Sequence, residues 1–271
     1  MSQNNTLKRV IVSIIFIPAI LALCYFGGIP FMIFILGIGL LSFYEFMKFS
    51  KLKMNNPQIT FGLVSVFVII LNSFFNKLEF YDLLILIIIS HSIIELFRNK
   101  GSAIYNLGVT LLGIFYTGFF SSTIVSIREY FNFYDNGGFL IISMIITIWV
   151  CDSAAFFGGI NLGKHKLFPR VSPKKSWEGA VFGFVFSVVA MVVLKNYFVT
   201  FLSLEQAIII GGIVGTIGQI GDLIESLFKR DAGVKDSSNL IPGHGGIFDR
   251  FDSLLASSPI VFFYLKHFVD K

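Results

Sequence analysis

Charged residues that could bind phosphate and a metal ion are concentrated near the end of the chain, in the segment 226–252. The segment begins with the cations Lys229 and Arg230 and ends with Asp249, Arg250 and a further aspartate. Cations are suited to phosphate oxygens, and carboxylates are suited to a divalent metal. These residue types therefore indicate a site for a phosphate-bearing substrate and a metal ion.

Acidic residues at two helix ends are the candidate metal ligands. Asp222, Glu225 and Lys229 share one face of a predicted helix, and Asp249 and Asp252 lie one turn apart at the start of the next. Asp222 and Asp249 on adjacent helices would supply Mg²⁺ with carboxylates and leave positions for substrate phosphate and water. Two alternatives stay open: Asp222 could form a structural salt bridge with Lys229 or the following arginine, and Asp252 could cap its helix.

A glycine-rich corner separates the two charged ends of the segment. Its sequence is Pro-Gly-His-Gly-Gly, with His244 between glycines that let the backbone turn sharply and approach a ligand. His244 either donates to a phosphate oxygen or holds the loop. The spacing of the histidines and cysteines does not indicate a zinc site.

A second basic string, Ser-Pro-Lys-Lys-Ser-Trp-Glu-Gly, begins at Ser172 and opens a predicted helix. Its lysines, Lys174 and Lys175, together with the helix N-terminus could hold a triphosphate. The alternative is a basic loop that faces lipid headgroups. A phosphate-binding loop of the GxxxxGK[ST] type is absent from the sequence.

The C-terminal segment resembles the signature of the phosphatidate cytidylyltransferases, also called CDP-diacylglycerol synthases. The matching residues are Ser226, Lys229, Arg230, Lys235, Asp236, Pro242, His244, Gly245, Gly246, Asp249, Arg250 and Asp252. The string from Ser172 to Gly179, with Asp152 upstream, is similar to a second motif of the same family.

The resemblance implies an enzyme of phospholipid biosynthesis that joins CTP to phosphatidate and releases pyrophosphate. It implies Mg²⁺ at Asp222 and Asp249, and it leaves open a second cation, either divalent or K⁺. Asp222, Asp249, Lys229 and Arg230 are then the predicted catalytic residues. The predicted substrate-binding residues are Asp152, Ser172, Lys174, Lys175, Glu178, Lys235, Asp236, His244, Gly245, Gly246, Arg250 and Asp252.

The composition places these residues in a membrane protein. Hydrophobic residues make up 55% and charged residues 14% of the chain, whereas soluble domains are about 25% charged. Apolar segments near the roughly 20 residues that cross a bilayer recur along the 271 residues. The first continues through a charge-free stretch into a second, which argues against a cleaved signal peptide.

The apolar segments predict an all-α polytopic bundle of about nine transmembrane helices. The predicted spans are 10–26, 30–44, 61–75, 83–97, 104–127, 139–157, 177–194, 207–225 and 254–269. We expect a single membrane domain in which residues 1–138 form a scaffold and residues 139–271 carry the motifs. The glycines Gly211, Gly215 and Gly218 predict close helix packing.

Charge asymmetry predicts the orientation. If alternate loops face the same side, sixteen of the 21 Lys and Arg residues share the side of the N-terminus. Because positive loops remain in the cytoplasm, we expect a cytoplasmic N-terminus, an external C-terminus and a site that faces the cytoplasm at the cell membrane.

A transporter for an anionic metabolite is the competing functional class, and it would need charged or broken helices near the bilayer midplane. Most polar residues instead cluster at one membrane face, although Glu45, His91 and Glu95 are exceptions. The expected partners are CTP, phosphatidate and the lipid bilayer. A homodimer is left open, and no nucleic acid is expected.

Overall fold

The computed structural model describes residues 3–53, 56–238, 240 and 245–269, with the backbone alone for residues 3–13 and 52. Nine α-helices and a short 3₁₀ helix, Lys51–Lys53, run through this part of the chain. Two of the α-helices, α5 and α8, each contain a π-helical segment. The helices are α1 (Gln3–Phe26), α2 (Gly28–Ser50), α3 (Ile59–Phe75), α4 (Phe80–Phe97), α5 (Ala103–Arg128), α6 (Tyr134–Leu162), α7 (Trp177–Tyr197), α8 (Leu204–Asp231) and α9 (Phe248–Phe268). The π segments are Ile114–Phe119 and Val214–Gly218.

Each predicted span coincides with one helix, but several helices extend beyond their apolar residues. The largest extension is in α6, which continues at both ends past the predicted span 139–157. Backbone hydrogen bonding sets where a helix ends, and it does not require apolar side chains.

Within the described part of the chain, six helices are long and apolar enough to cross a membrane, namely α2, α4, α5, α6, α7 and α8. The apolar parts of α1 and α3, Ile14–Phe26 and Ile59–Phe75, are shorter. The chain is therefore a multi-pass helical membrane protein. The count of nine spans and the orientation stay predictions.

A small hairpin departs from the all-α prediction. Between α6 and α7, β1 (Lys166–Phe168) pairs antiparallel with β2 (Ser172–Ser176), with Lys166 opposite Ser176 and Phe168 opposite Ser172. The basic string therefore lies on a strand that leads directly into α7. This arrangement holds the lysines more firmly than an irregular loop would.

Close helix packing positions the hairpin and α8. A Cβ atom added at Gly179 of α7 would lie 2.6 Å from the Ala155 carbonyl oxygen of α6, and one at Gly211 of α8 would lie 2.9 Å from Val188 Cα of α7. A Cβ atom at Gly215 would lie 2.0 Å from Ser187 Oγ. The predicted packing role of the α8 glycines is confirmed at these positions.

Aromatic rings join the first part of the chain to the helices that carry the motifs. The ring of Phe46 on α2 lies 5.3 Å from Phe228 on α8 and 6.3 Å from Phe248 on α9, both edge to face. Phe46 and Phe248 are buried. Rings packed in this way bury large apolar areas and fix α8 and α9 relative to α2.

Candidate active site

Three carboxylates from two helices lie together where α8 and α9 meet. Asp222 and Glu225 share a face of α8, Asp252 lies on α9, and ligand oxygens of the three lie within 4.8 Å of one another. The helices approach closely because of Gly221, where an added Cβ atom would come within 2.4 Å of Ala256 Cβ. We call Asp222, Glu225 and Asp252 the carboxylate cluster.

The donor chemistry of the carboxylate cluster fits a divalent cation. Glu225 and Asp252 are buried, and among the described residues Lys229 contacts Glu225 Oε2 while Oε1 accepts no hydrogen bond. Burial, with the nearby charge of Asp222, raises the pKa of Asp252 well above its usual range. Buried carboxylates this close together need a proton or a cation between them, and Mg²⁺ prefers carboxylate oxygens.

Two lysines neutralise part of this negative charge. Lys175 Nζ on β2 donates to Asp222 Oδ2 at 2.6 Å. Lys229 Nζ lies 2.6 Å from Asp249 Oδ1 and 2.6 Å from Glu225 Oε2. Among the described residues Asp222 thus pairs with Lys175, and the alternative salt bridge with Lys229 or the arginine after it is not formed.

Asp249 lies next to the carboxylate cluster and holds the preceding loop. Its Oδ2 accepts hydrogen bonds from Ser237 N at 3.0 Å, Ser237 Oγ at 2.9 Å and Gly246 N at 2.8 Å. Asp222 and Asp249 lie on adjoining helices as predicted, each paired with its own lysine. Their shared role as metal ligands stays a prediction.

The N-terminus of α9 is capped by a residue from α2. Glu45, which is buried, accepts hydrogen bonds from Ile247 N at 3.1 Å and Phe248 N at 2.9 Å. Ser237 Oγ donates to Glu45 Oε2 at 2.9 Å, and Ser238 Oγ donates to Glu45 Oε1. Asp252 lies in the second turn of α9 and does not cap it, because Glu45 occupies that position.

Two predicted glycines are required by close contacts around Asp249 and Glu45. Gly245 has φ +85°, a conformation that other residues rarely adopt. A Cβ atom at Gly246 would lie 1.9 Å from Ser237 Oγ and 2.5 Å from Glu45 Oε2. The glycines therefore let the loop backbone donate directly to carboxylates.

The hairpin and α6 enclose a cavity beside Asp222 that is lined by several charged residues. The cavity has a volume of about 550 Å³, and its polar lining includes Asp152, Lys174, Lys175 and Asp222. Asp152, Lys174 and Lys175 were predicted to bind substrate, and Asp222 was predicted to bind metal. The structure therefore brings residues of the second motif next to Asp222 on α8.

Two other residues of that motif organise the hairpin. Glu178 Oε1 lies 2.6 Å from His165 Nδ1, which ties α7 to the start of the hairpin. Ser172 pairs across the hairpin with Phe168. Ser176, which was not among the predicted site residues, caps α7 by accepting from Gly179 N at 3.2 Å.

The remaining predicted residues lie around this centre. Arg230 donates to the Val171 and Val234 carbonyl oxygens at 3.4 and 3.2 Å, which joins α8 to the hairpin. Lys235 and Asp236 are exposed in the loop after α8. His244 lies outside the described residues.

An apolar cavity opens on the other side of α9. It has a volume of about 480 Å³, and Arg250 is the charged residue in its lining. Residues of α1, α2, α6 and α9 form the rest, including Phe34, Trp149 and Leu254. The cavity therefore combines an apolar interior with a cation in the first turn of α9, next to Asp249 in the sequence.

Comparisons with known proteins match nearly the whole chain. The profile of the Cytidylyltransferase family matches residues 7–268. The chain belongs to the cytidylyltransferase family. It is accordingly an enzyme, a nucleotidyltransferase.

Curated relatives extend the match to nearly whole chains. The phosphatidate cytidylyltransferase of Bacillus subtilis (strain 168) is 31% identical over 270 residues, covering 96% of this chain and 98% of that protein. The phosphatidate cytidylyltransferase of Haemophilus influenzae is 33% identical over 292 residues, covering 97% and 99%. That of Staphylococcus haemolyticus is 30% identical over 262 residues, covering 95% and 96%.

Besides Ser176, the predicted site residues did not include Glu45, Glu225 and Ser237, which the structure brings to the candidate site. The sequence did contain a signal for Glu225, because it lies three residues after Asp222 and so shares its helix face. Both carboxylates belong to the carboxylate cluster. Glu45 offered only the weaker signal of an acidic residue at the end of an apolar span. Ser237 is separated from Glu45 by 192 positions in the sequence, and no local pattern pointed to it.

Proposed function

We propose that this cytidylyltransferase transfers the cytidylyl group of CTP to phosphatidate, giving CDP-diacylglycerol and pyrophosphate in phospholipid biosynthesis. The observation that carries the proposal is the position of the carboxylates. Asp222 lines a cavity together with two lysines, and Asp249 is the sequence neighbour of Arg250, which lines an apolar cavity. A nucleotide and a lipid headgroup could meet at such a point, and the names of the curated relatives agree with these substrates.

The reaction needs charge neutralisation more than covalent help. An oxygen of the lipid phosphate attacks the α-phosphorus of CTP, a new P–O bond forms, and the bond to the pyrophosphate oxygen breaks. Asp222, Glu225 and Asp252 would hold Mg²⁺, with Asp249 a further predicted ligand beside Lys229. When bound, Mg²⁺ supplies positive charge to the phosphate oxygens. A second cation, divalent or K⁺, belongs to the same proposal.

The lysines and arginines divide between the two substrates. We assign Lys174 and Lys175 to the CTP phosphates, because both line the cavity beside Asp222. We assign Arg250 to the lipid phosphate, because it lines the apolar cavity that could receive acyl chains. For Arg230, which donates to the Val171 and Val234 carbonyls, we propose a positioning role.

We further propose one multi-pass domain in the cell membrane with nine spans, the N-terminus inside and the site facing the cytoplasm. The excess of cations on one side supports this orientation. Assembly into a homodimer is a prediction, which light scattering of the purified protein in detergent tests.

The experiment that tests the function is a defined assay. Purified protein in detergent is incubated with CTP, phosphatidate and Mg²⁺, and a cytidine-containing lipid and pyrophosphate are measured. We expect equal amounts of both products and no turnover without the divalent cation. Pyrophosphate release that does not depend on phosphatidate would refute the lipid as acceptor.

A further inference from the structure

Tyr116 lies beside the carboxylate cluster although it belongs to neither motif. It is part of the π segment of α5. Its ring packs edge to face against Phe228 of α8 at 5.6 Å and against Phe248 of α9 at 5.8 Å. The residue is therefore wedged between the two helices that carry the carboxylates.

The hydroxyl group of Tyr116 is buried without a partner among the residues that the structure describes. The residue is 7% exposed, and its hydroxyl makes no hydrogen bond with any described residue. The charges that act on this hydroxyl are those of Asp252, Glu225 and Asp222. Buried tyrosine hydroxyls in proteins normally have a hydrogen-bond partner, so the partner here should be sought at the carboxylate cluster.

A carboxylate oxygen of the same cluster also lacks a hydrogen-bond partner. Glu225 Oε1 has no donor among the described residues, whereas Oε2 is paired with Lys229. A buried donor and a buried acceptor that do not satisfy one another directly indicate a ligand that contacts both. A cation with its bound water fits, since the carboxylates bind the metal and the water can accept from a hydroxyl.

The local backbone supports a functional reason for this placement. A π turn widens a helix by one residue and occurs frequently at functional sites. The π segment of α5 contains Tyr116, and that of α8, Val214–Gly218, ends three residues before Gly221. Both interruptions thus lie in helices that meet at the carboxylate cluster.

We infer that Tyr116 is a positioning residue of the metal site. Its hydroxyl donates a hydrogen bond to an oxygen ligand of the cation that Asp222, Glu225 and Asp252 hold. The inference rests on the proposed function only in requiring a divalent cation at that cluster. By fixing one oxygen ligand, the hydroxyl orients the others for the cation. Groups that orient metal ligands in this way typically contribute about 10-fold to 100-fold in metal affinity.

The test compares Tyr116→Phe with wild type in a direct metal-binding measurement. Mn²⁺ is titrated into purified protein in detergent without substrates, and free Mn²⁺ is followed by its EPR signal. Phenylalanine keeps the ring contacts with Phe228 and Phe248. We therefore expect an unchanged melting temperature without metal and an affinity for Mn²⁺ about tenfold weaker.

Tyr130→Phe is the matched control. Its hydroxyl contacts the Leu265 and Val269 carbonyl oxygens, each at 2.7 Å, which lie at the opposite end of α9 from Asp252. Its loss should lower the melting temperature and leave Mn²⁺ affinity unchanged.

Equal Mn²⁺ affinity in wild type and Tyr116→Phe would overturn the inference and leave the metal site standing. If wild-type protein binds no Mn²⁺, the proposed metal site fails and the inference fails with it. A Tyr130→Phe variant with the same loss of affinity as Tyr116→Phe would also overturn the inference, because the effect would then follow general destabilisation.

Discussion

The Glu45 carboxylate accepts the backbone N–H of Phe248 at 2.9 Å, so a helix from the first part of the chain fixes the start of the helix that carries Asp249 and Asp252. The same carboxylate accepts from Ser237 and Ser238. One buried side chain thus joins α2, the loop after α8 and α9. Residues 1–138 therefore contribute a direct contact to the site in addition to any scaffold role.

Replacing Glu45 should loosen that junction. Hydrogen bonds to a charged group contribute about 1.5 to 3 kcal/mol, so Glu45→Ala should lower the melting temperature in detergent and reduce turnover. Hydrogen exchange at Ser237 and Gly246 should become faster, because both backbone N–H groups depend on the same loop conformation. Glu79→Gln, at an exposed position, is the control and should match wild type. Unchanged exchange in Glu45→Ala would contradict the positioning role.

The predicted metal ligands should be needed for turnover and not for folding. We expect Asp222→Asn and Asp249→Asn each to reduce kcat by about a hundredfold or more, as loss of a charge-stabilising group does. Asp231→Asn is the control on the same helix. Asp231 forms only a surface ion pair with Lys53 at 3.5 Å, and such pairs contribute about 0 to 1 kcal/mol.

The outcome for each aspartate is read separately. Retention of more than about a tenth of wild-type turnover by either variant would count against its role as a metal ligand. Chromatographic behaviour in detergent checks that both variants are folded.

Separate substrate kinetics should distinguish the two cavities. Lys175→Ala should chiefly raise KM for CTP, and Arg250→Ala should chiefly raise KM for phosphatidate, because loss of uniform binding to one substrate appears in the KM for that substrate. Each substrate is varied at saturating concentrations of the other. The reverse pattern would exchange the assignments. An equal fall in kcat with both KM values unchanged would refute both.

Both motif segments should be accessible from the cytoplasm. Single cysteines at Lys174 and Lys235 in a background that lacks Cys24 and Cys151 should react with a membrane-impermeant reagent only when the cytoplasmic face is exposed. A cysteine at Lys195, on the predicted outer side, should react from the other face. Labelling of the positions at Lys174 and Lys235 from opposite faces would disprove a single site built from both motifs.

The sequence by itself determined the membrane class, the positions of the helices and the motif residues. These features depend on local patterns: an apolar segment must be long enough to cross the bilayer, and a helix places residues three and four apart on one face. Asp222 and Glu225 could therefore be placed together, and the α8 glycines could be predicted to pack against a neighbour. The basic hairpin was less predictable, because its strands stabilise each other and carry no apolar alternation.

Only the tertiary structure decided which charges meet. Lys175 pairs with Asp222 across 47 positions, and Glu45 reaches Phe248 across 203. Asp252 faces Asp222 and Glu225 because Gly221 lets α8 and α9 approach. Such contacts depend on how helices pack, and the packing depends on the shapes of whole helix faces. A local pattern could nominate the carboxylates and cations, but it could not pair them.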